Sequence, residues 1–136
     1  MKTVWVISDS VISPLGNSAG ENFDKVLEGR GGIKLFDDPQ LSAVPIAAGK
    51  IKTLQSEDSA TRFENMCLHA VRNITDKFSP DPDRTIFILS TTKGNISLAE
   101  NDLSNSRIQL HETAAFLAKR IGLMNHLVVS NACISG

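Results

Sequence analysis

The sequence predicts an α/β domain built on a mainly parallel sheet flanked by helices. Three observations carry this expectation. Strand-like runs alternate with amphipathic helical stretches, in the order strand, helix, edge strand, helix, strand, helix, strand. Residues 3–7, 85–89 and 127–129 are apolar runs rich in β-branched side chains, the pattern of strands covered on both faces. A helical stretch closed by Gly122 separates the last two runs, enough chain for a right-handed crossover between parallel strands. With 136 residues and 41% hydrophobic content, the chain suits one domain, 1–136, with a real core.

The elements follow in order. After the run at 3–7, Ser8-Asp9-Ser10 and Ser13-Pro14-Leu15-Gly16-Asn17 supply turn residues. Ser18 and Glu21 spell a capping box, S-x-x-E, opening a helix with Phe23, Val26 and Leu27 on one face. Gly29, Gly31 and Gly32 stop it. A phosphate loop is the weaker reading of these glycines, because no strand precedes them and no Walker pattern is present. Residues 33–43 read as irregular, with a turn at Asp37-Asp38-Pro39, and 44–51 as a short extended segment whose Pro45 suits a sheet edge.

The strongest helical signal runs over 58–78, where Ala60, Phe63, Met66, Cys67, Ala70, Val71, Ile74 and Phe78 recur at i, i+3, i+4. Cys67 belongs to that stripe and reads as core packing, whereas His69 falls off it and reads as surface. Ser79-Pro80-Asp81-Pro82 terminates the helix. The polar loop at 90–95 follows the 85–89 strand at its C-terminal end, where open α/β sheets place ligand sites. Residues 97–105 read as polar and mobile. Ser106 and Gln109 offer a second box, S-x-x-Q, before a helix carrying Leu110, Ala114, Leu117, Ala118 and Ile121, with Lys119 and Arg120 in its last turn. His111 reads as solvated in the first turn, and His126 opens the final strand.

Charge is nearly balanced, 14 basic against 15 acidic residues, and aromatics make up 5% with no Tyr. Neither a basic patch nor stacking material recommends nucleic acid. No stretch reaches transmembrane length and no secretory signal opens the chain, so a soluble, cytoplasmic protein without membrane contact is expected. Cys67 and Cys133 form no CxxC and are expected to be reduced thiols. No histidine has an acidic or cysteine partner at metal spacing, so no metal site is expected.

Cys133 is the candidate nucleophile. It follows the apolar run 127–129 and is flanked by the small residues Ala132, Ser135 and Gly136, as a strand-to-helix elbow demands. At a helix N-terminus the free N–H groups and partial positive charge lower a thiol's pKa, and the same groups can hold an oxyanion. Local sequence leaves open the alternative, a buried structural cysteine at a strand end.

Taken together, four landmarks resemble the N-terminal half of a β-ketoacyl-acyl carrier protein synthase, of the thiolase-like superfamily. Residues 6–17, VISDSVISPLGN, resemble the family's first strand and "G-x-V-S-P-x-G" turn. Residues 23–33, FDKVLEGRGGI, are similar to the helix ending in "L-x-G-x-S-G-I". Residues 90–96, STTKGNI, occupy the place of a glycine-rich loop, with one glycine where many relatives have three. Residues 130–136, SNACISG, resemble the active-site "A-C-x-S/T-G" segment. The stretch between the loop and the last helix is shorter than in relatives, where it helps form the dimer surface and acyl pocket.

The resemblance implies a thiolase-like fold cut off after the nucleophile elbow. It implies an acyltransferase in fatty-acid or polyketide synthesis, with Cys133 as nucleophile and one oxyanion donor. Its partner would be an acyl carrier protein bearing thioester-linked acyl and malonyl groups; no cofactor or metal is implied. The family's paired histidines, lysine and second glycine-rich loop belong to its C-terminal half, and His69, His111 and His126 do not match those motifs, so the 136-residue chain alone is expected not to condense acyl groups. A homo-oligomer, or pairing with another ketosynthase-like chain, is expected. Two other readings stand beside this one: a non-catalytic ketosynthase-like interaction subunit, and a small α/β protein whose Cys133 is buried and inert.

Overall fold

A computed structural model describes residues 3–51, 54 and 56–131. They fall into two compact units, Met1–Leu54 and Gln55–Gly136. The secondary structure is mixed α/β, with three helices and two two-stranded sheets among the described residues.

In the first unit, residues 3–10 form no strand, which corrects the expectation for 3–7. Val4, Trp5, Val6 and Ile7 are exposed, Val6 at 92%. An apolar β-branched run becomes a strand only against a partner's backbone, and no described strand pairs with it. The turn at Ser13–Gly16 closes as written, by Ser13 N–H to Gly16 O (2.9 Å) and Gly16 N–H to Ser13 O (3.2 Å). Asn22 ties helix α1 (Ala19–Leu27) to this turn, donating to the carbonyls of Val11, Gly16 and Ser18. Ser18 caps α1 by accepting the Glu21 N–H at 3.2 Å. The reciprocal bond differs from the expected box: the Glu21 carboxylate takes the N–H of Asn17 at 2.8 Å. Gly29, at φ +70°, ends α1 in a Schellman motif, with Gly29 N–H on Val26 O and Arg30 N–H on Lys25 O.

Strand β1 (Ile33–Phe36) lies in the stretch read as irregular. It pairs antiparallel with β2 (Ile46–Gly49), Ile33 opposite Gly49 and Phe36 opposite Ile46. Four residues are too few for a two-residue period to stand out in sequence, and this pair is not part of a parallel sheet. The turn between them begins at Asp38, whose side chain accepts the Gln40 N–H and whose carbonyl accepts the Leu41 N–H.

In the second unit, helix α2 (Arg62–Thr75) opens on a complete capping box. Glu64 N–H donates to Thr61 Oγ1 at 3.1 Å, and Thr61 N–H to Glu64 Oε2 at 2.8 Å. Its fully buried residues are Glu64, Asn65 and Leu68, with Phe63 and Cys67 packed against the core beside them. The sequence stripe therefore lies to one side of the buried face, and Phe78 stands exposed beyond the helix end. Strands β3 (Ile86–Ser90) and β4 (Asn125–Val129) pair in parallel through α3 (Leu110–Arg120), as expected. Gly122, at φ +76°, closes α3 in a second Schellman motif.

Leu68, Leu89, Ala114 and Leu117 form the core, joined by Phe87, Val128 and Phe116. Side chains alternate across a strand, so Phe87 and Leu89 face the helices while Ile86 and Ile88 face away. Ile86 and Ile88 are each 53% exposed and Leu127 49%. The apolar runs at 86–89 and 127–129 are covered on one face rather than both.

The segment read as mobile carries a 3₁₀ turn, Ile96–Glu100. The second expected box does not form. Asn105 accepts the Arg107 N–H and starts a 3₁₀ turn, Ser106–Ile108, while Gln109 precedes α3 with no side-chain cap bond. Among the described residues no helix is long and apolar enough to cross a membrane.

Candidate functional site

Parallel pairing brings the C-terminal ends of β3 and β4 together, with Ser90 opposite Val129. The chain then leaves β3 into the loop at 91–95 while remaining bonded to β4, because Thr91 N–H donates to Val129 O at 3.2 Å. Within the loop the Gly94 N–H donates to Thr91 Oγ1 at 3.2 Å. Gly94 sits at φ +51°, and a Cβ there would come within 2.5 Å of Leu110 Cδ2. Only glycine meets both demands without strain.

The next residue, Asn95, is fully buried and is the hub of a polar network. Its Oδ1 accepts the Thr61 hydroxyl at 2.5 Å, and its Nδ2 donates to Glu64 Oε1 at 2.7 Å. Weaker contacts run from Nδ2 to Thr113 Oγ1 (3.3 Å) and to the Arg107 carbonyl (3.4 Å). Thr113 donates its own proton to that carbonyl at 2.7 Å. The Glu64 carboxylate, with no exposed surface, also accepts Arg107 Nη1 at 2.8 Å. No buried side-chain polar atom among the described residues lacks a partner. A buried carboxylate is tolerated on these terms: a cation and several donors replace the water it has lost.

Arg107 and Arg120 also lie over the ring of Phe116, at 4.8 and 5.1 Å from its centroid. Glu57 pairs with Arg72 from the last turn of α2 and with Arg120 from the last turn of α3, and its own N–H is held by Asn65 Oδ1 at 2.8 Å. The network contains no exposed nucleophile. It fixes the loop after β3 against α2 and α3, so its role is positional.

Cys133, the sequence-predicted nucleophile, lies outside the described residues, four positions beyond Val129 at the end of β4. Cys67 is the other thiol. Burial against the core, and then the nearby Glu64 carboxylate, push its pKa from 9.0 up to about 11, so it is a neutral thiol near pH 7. His69 is half-buried on α2 rather than on the surface. His111 is exposed beside Glu112, with Nε2 3.3 Å from Oε1, and His126 Nδ1 lies 3.4 Å from the Met124 carbonyl. No group of three or more His, Cys, Asp or Glu among the described residues is placed to hold a metal ion.

Sequence reasoning missed Glu64, Asn95 and Thr113. One signal was available: Thr61-Arg62-Phe63-Glu64 spells the same T-x-x-E box that announces other helix starts. Nothing local marks Asn95 or Thr113, whose burial arises from the packing of α2 and α3 around the loop.

Comparison with protein-family models, with curated proteins and with solved structures finds no match to this chain.

Proposed function

We propose that this chain is the N-terminal portion of a cytoplasmic β-ketoacyl-acyl carrier protein synthase of thiolase-like fold, and that Cys133 accepts the acyl group. One observation supports this most directly. The parallel β3–α3–β4 unit delivers the chain to the C-terminal end of β4 just before Cys133, beside the pinned loop at 91–95. Ligand sites in α/β sheets lie outside the C-terminal strand ends.

In the proposed step the Cys133 thiolate attacks the thioester carbonyl of an acyl carrier protein. Backbone N–H groups, that of Cys133 included, hold the oxyanion. The tetrahedral intermediate collapses with loss of the carrier thiolate, leaving acyl-Cys133. Decarboxylation of a malonyl thioester and condensation would fall to histidines that the resemblance places in the C-terminal half.

The test is acylation itself. After incubation with an acyl-carrier protein thioester, peptide mass spectrometry is expected to find a hydroxylamine-sensitive acyl group on Cys133 and none in Cys133→Ala. Acylation of Cys67 instead, or equal signal in the Cys133→Ala variant, would sink the reading.

A second reading, a non-catalytic interaction subunit, is favoured by a separate observation. The outward side chains Ile86, Ile88 and Leu127 form an exposed apolar face on the β3–β4 pair. Such a face suits pairing with a second ketosynthase-like chain, and oligomeric state distinguishes it from a surface that stays bare.

A further inference from the structure

The first unit contains a cavity of about 630 Å³ whose walls include Lys25, Arg30, Lys34 and Lys50. These are all of the basic side chains among that unit's described residues, whereas none of its acidic side chains, from Asp9 to Asp38, lines the cavity. The convergence is therefore a product of folding, not of a basic composition. Three elements bring it about. Lys25 comes from the last turn of α1, and the Schellman turn at Gly29 throws Arg30 back over the helix end. Lys34 is in β1, and Lys50 directly follows β2.

Only part of this charge is neutralised. Glu28 lies 2.8 Å from Arg30 Nε and 3.4 Å from Lys25 Nζ. Lys34 and Lys50 have no ion pair among the described residues. The β1–β2 register puts Ala48 opposite Lys34, so Lys50 lies diagonal to Lys34 on the same face of the pair. Pro14, Leu15 and Phe36 supply an apolar part of the same wall.

We infer that this cavity is a binding site for a small organic phosphate, its phosphoryl oxygens held by Lys34, Lys50 and Arg30 and its organic part lying against Phe36 and Leu15. The volume falls in the range of small-molecule sites. Arginine's planar fork matches phosphate oxygens, and lysines add point charges without demanding one geometry. The cations, not a glycine loop, supply recognition, which agrees with the lack of a Walker pattern at Gly29–Gly32. This site is independent of Cys133 and of the acyl-transfer reading.

The test is a titration of the full chain by two-dimensional ¹H–¹⁵N NMR, with inorganic phosphate and with phenyl phosphate. Both are expected to move amides at residues 30–34 and 50, with phenyl phosphate the tighter of the two. The variant Lys34→Gln/Lys50→Gln is expected to lose at least about tenfold in affinity, a difference of about 1.4 kcal/mol. Lys34→Arg/Lys50→Arg, which keeps the charge, is expected to retain binding, and Lys119→Gln in the second unit to change nothing. Because Lys34 and Lys50 are exposed, the amide spectrum of the glutamine variant should otherwise match the parent. Absence of shifts at those residues, equal affinity in the parent and the glutamine variant, or equal affinity for the two phosphates would overturn the assignment.

Discussion

Two thiols in one chain make a sharp test at the scale of single residues. Cys67 titrates near pH 11 because burial and the Glu64 carboxylate both disfavour its thiolate. Iodoacetamide at neutral pH is expected to modify Cys133 well before Cys67, read by peptide mass spectrometry; faster labelling of Cys67 would contradict the proposed roles. The same shift has a consequence for stability. A thiol whose folded pKa exceeds its unfolded value near 9 contributes stability that is complete below pH 9 and is lost as the pH rises to about 11. Urea unfolding of the second unit is expected to weaken over that window by on the order of 2 kcal/mol, and Cys67→Ala to remove most of this slope.

Glu64 is the other residue on which much depends. Glu64→Ala strips acceptors from Asn95 Nδ2, Thr61 N–H and Arg107 Nη1 at once. Breaking one side of a buried ion pair costs about 3–5 kcal/mol, and equilibrium urea unfolding measures it. Glu64→Gln, which keeps an acceptor and the shape, is expected to cost less. If the alanine variant lost under 1 kcal/mol (roughly the worth of one ordinary hydrogen bond), the network would not be holding the loop.

At the scale of elements, the glycines that end or bend the backbone are not equivalent. Gly29 needs only its positive φ, since a Cβ there meets nothing within 4 Å. Gly94 needs both its positive φ and the missing Cβ, because Leu110 occupies that space. Gly29→Ala is expected to cost about 1 kcal/mol in thermal unfolding, and Gly94→Ala more, about 2–3 kcal/mol, with Leu110 displaced. Equal costs would mean that Leu110 moves aside freely.

At the scale of the whole molecule, the β3–β4 pair leaves Ile86, Ile88 and Leu127 exposed on its outer face. An apolar patch of a few hundred Å² is at the upper end of what a monomer shows, yet below the roughly 800 Å² per partner of a stable dimer. Sedimentation equilibrium is therefore expected to show concentration-dependent self-association that Ile88→Lys/Leu127→Lys abolishes. Association unchanged in that variant would place the contact elsewhere.

The sequence by itself determined those features whose cause is local. The stops at Gly29 and Gly122, the Ser18 cap, the turn at residues 13–16 and the helical period of α3 were all legible in it. Each depends on one residue's φ, one short-range bond or a hydrophobic period within a single element. Tertiary structure alone decided which apolar runs became strands. Residues 3–7 are as β-rich as 86–89, but a ladder requires a second strand, and only 86–89 has one. It likewise decided that α2 buries Glu64 and Asn65 rather than the centre of its apolar stripe. The Glu64 carboxylate and the Asn95 amide are tolerated in a core only when Thr61, Arg107 and Thr113 arrive from three segments to bond them, while Asn65 takes the Glu57 N–H and donates to the Ala60 carbonyl, and no local pattern records that meeting. The basic cavity has the same origin: four cations spread over 26 positions converge because a Schellman turn and an antiparallel register place them together.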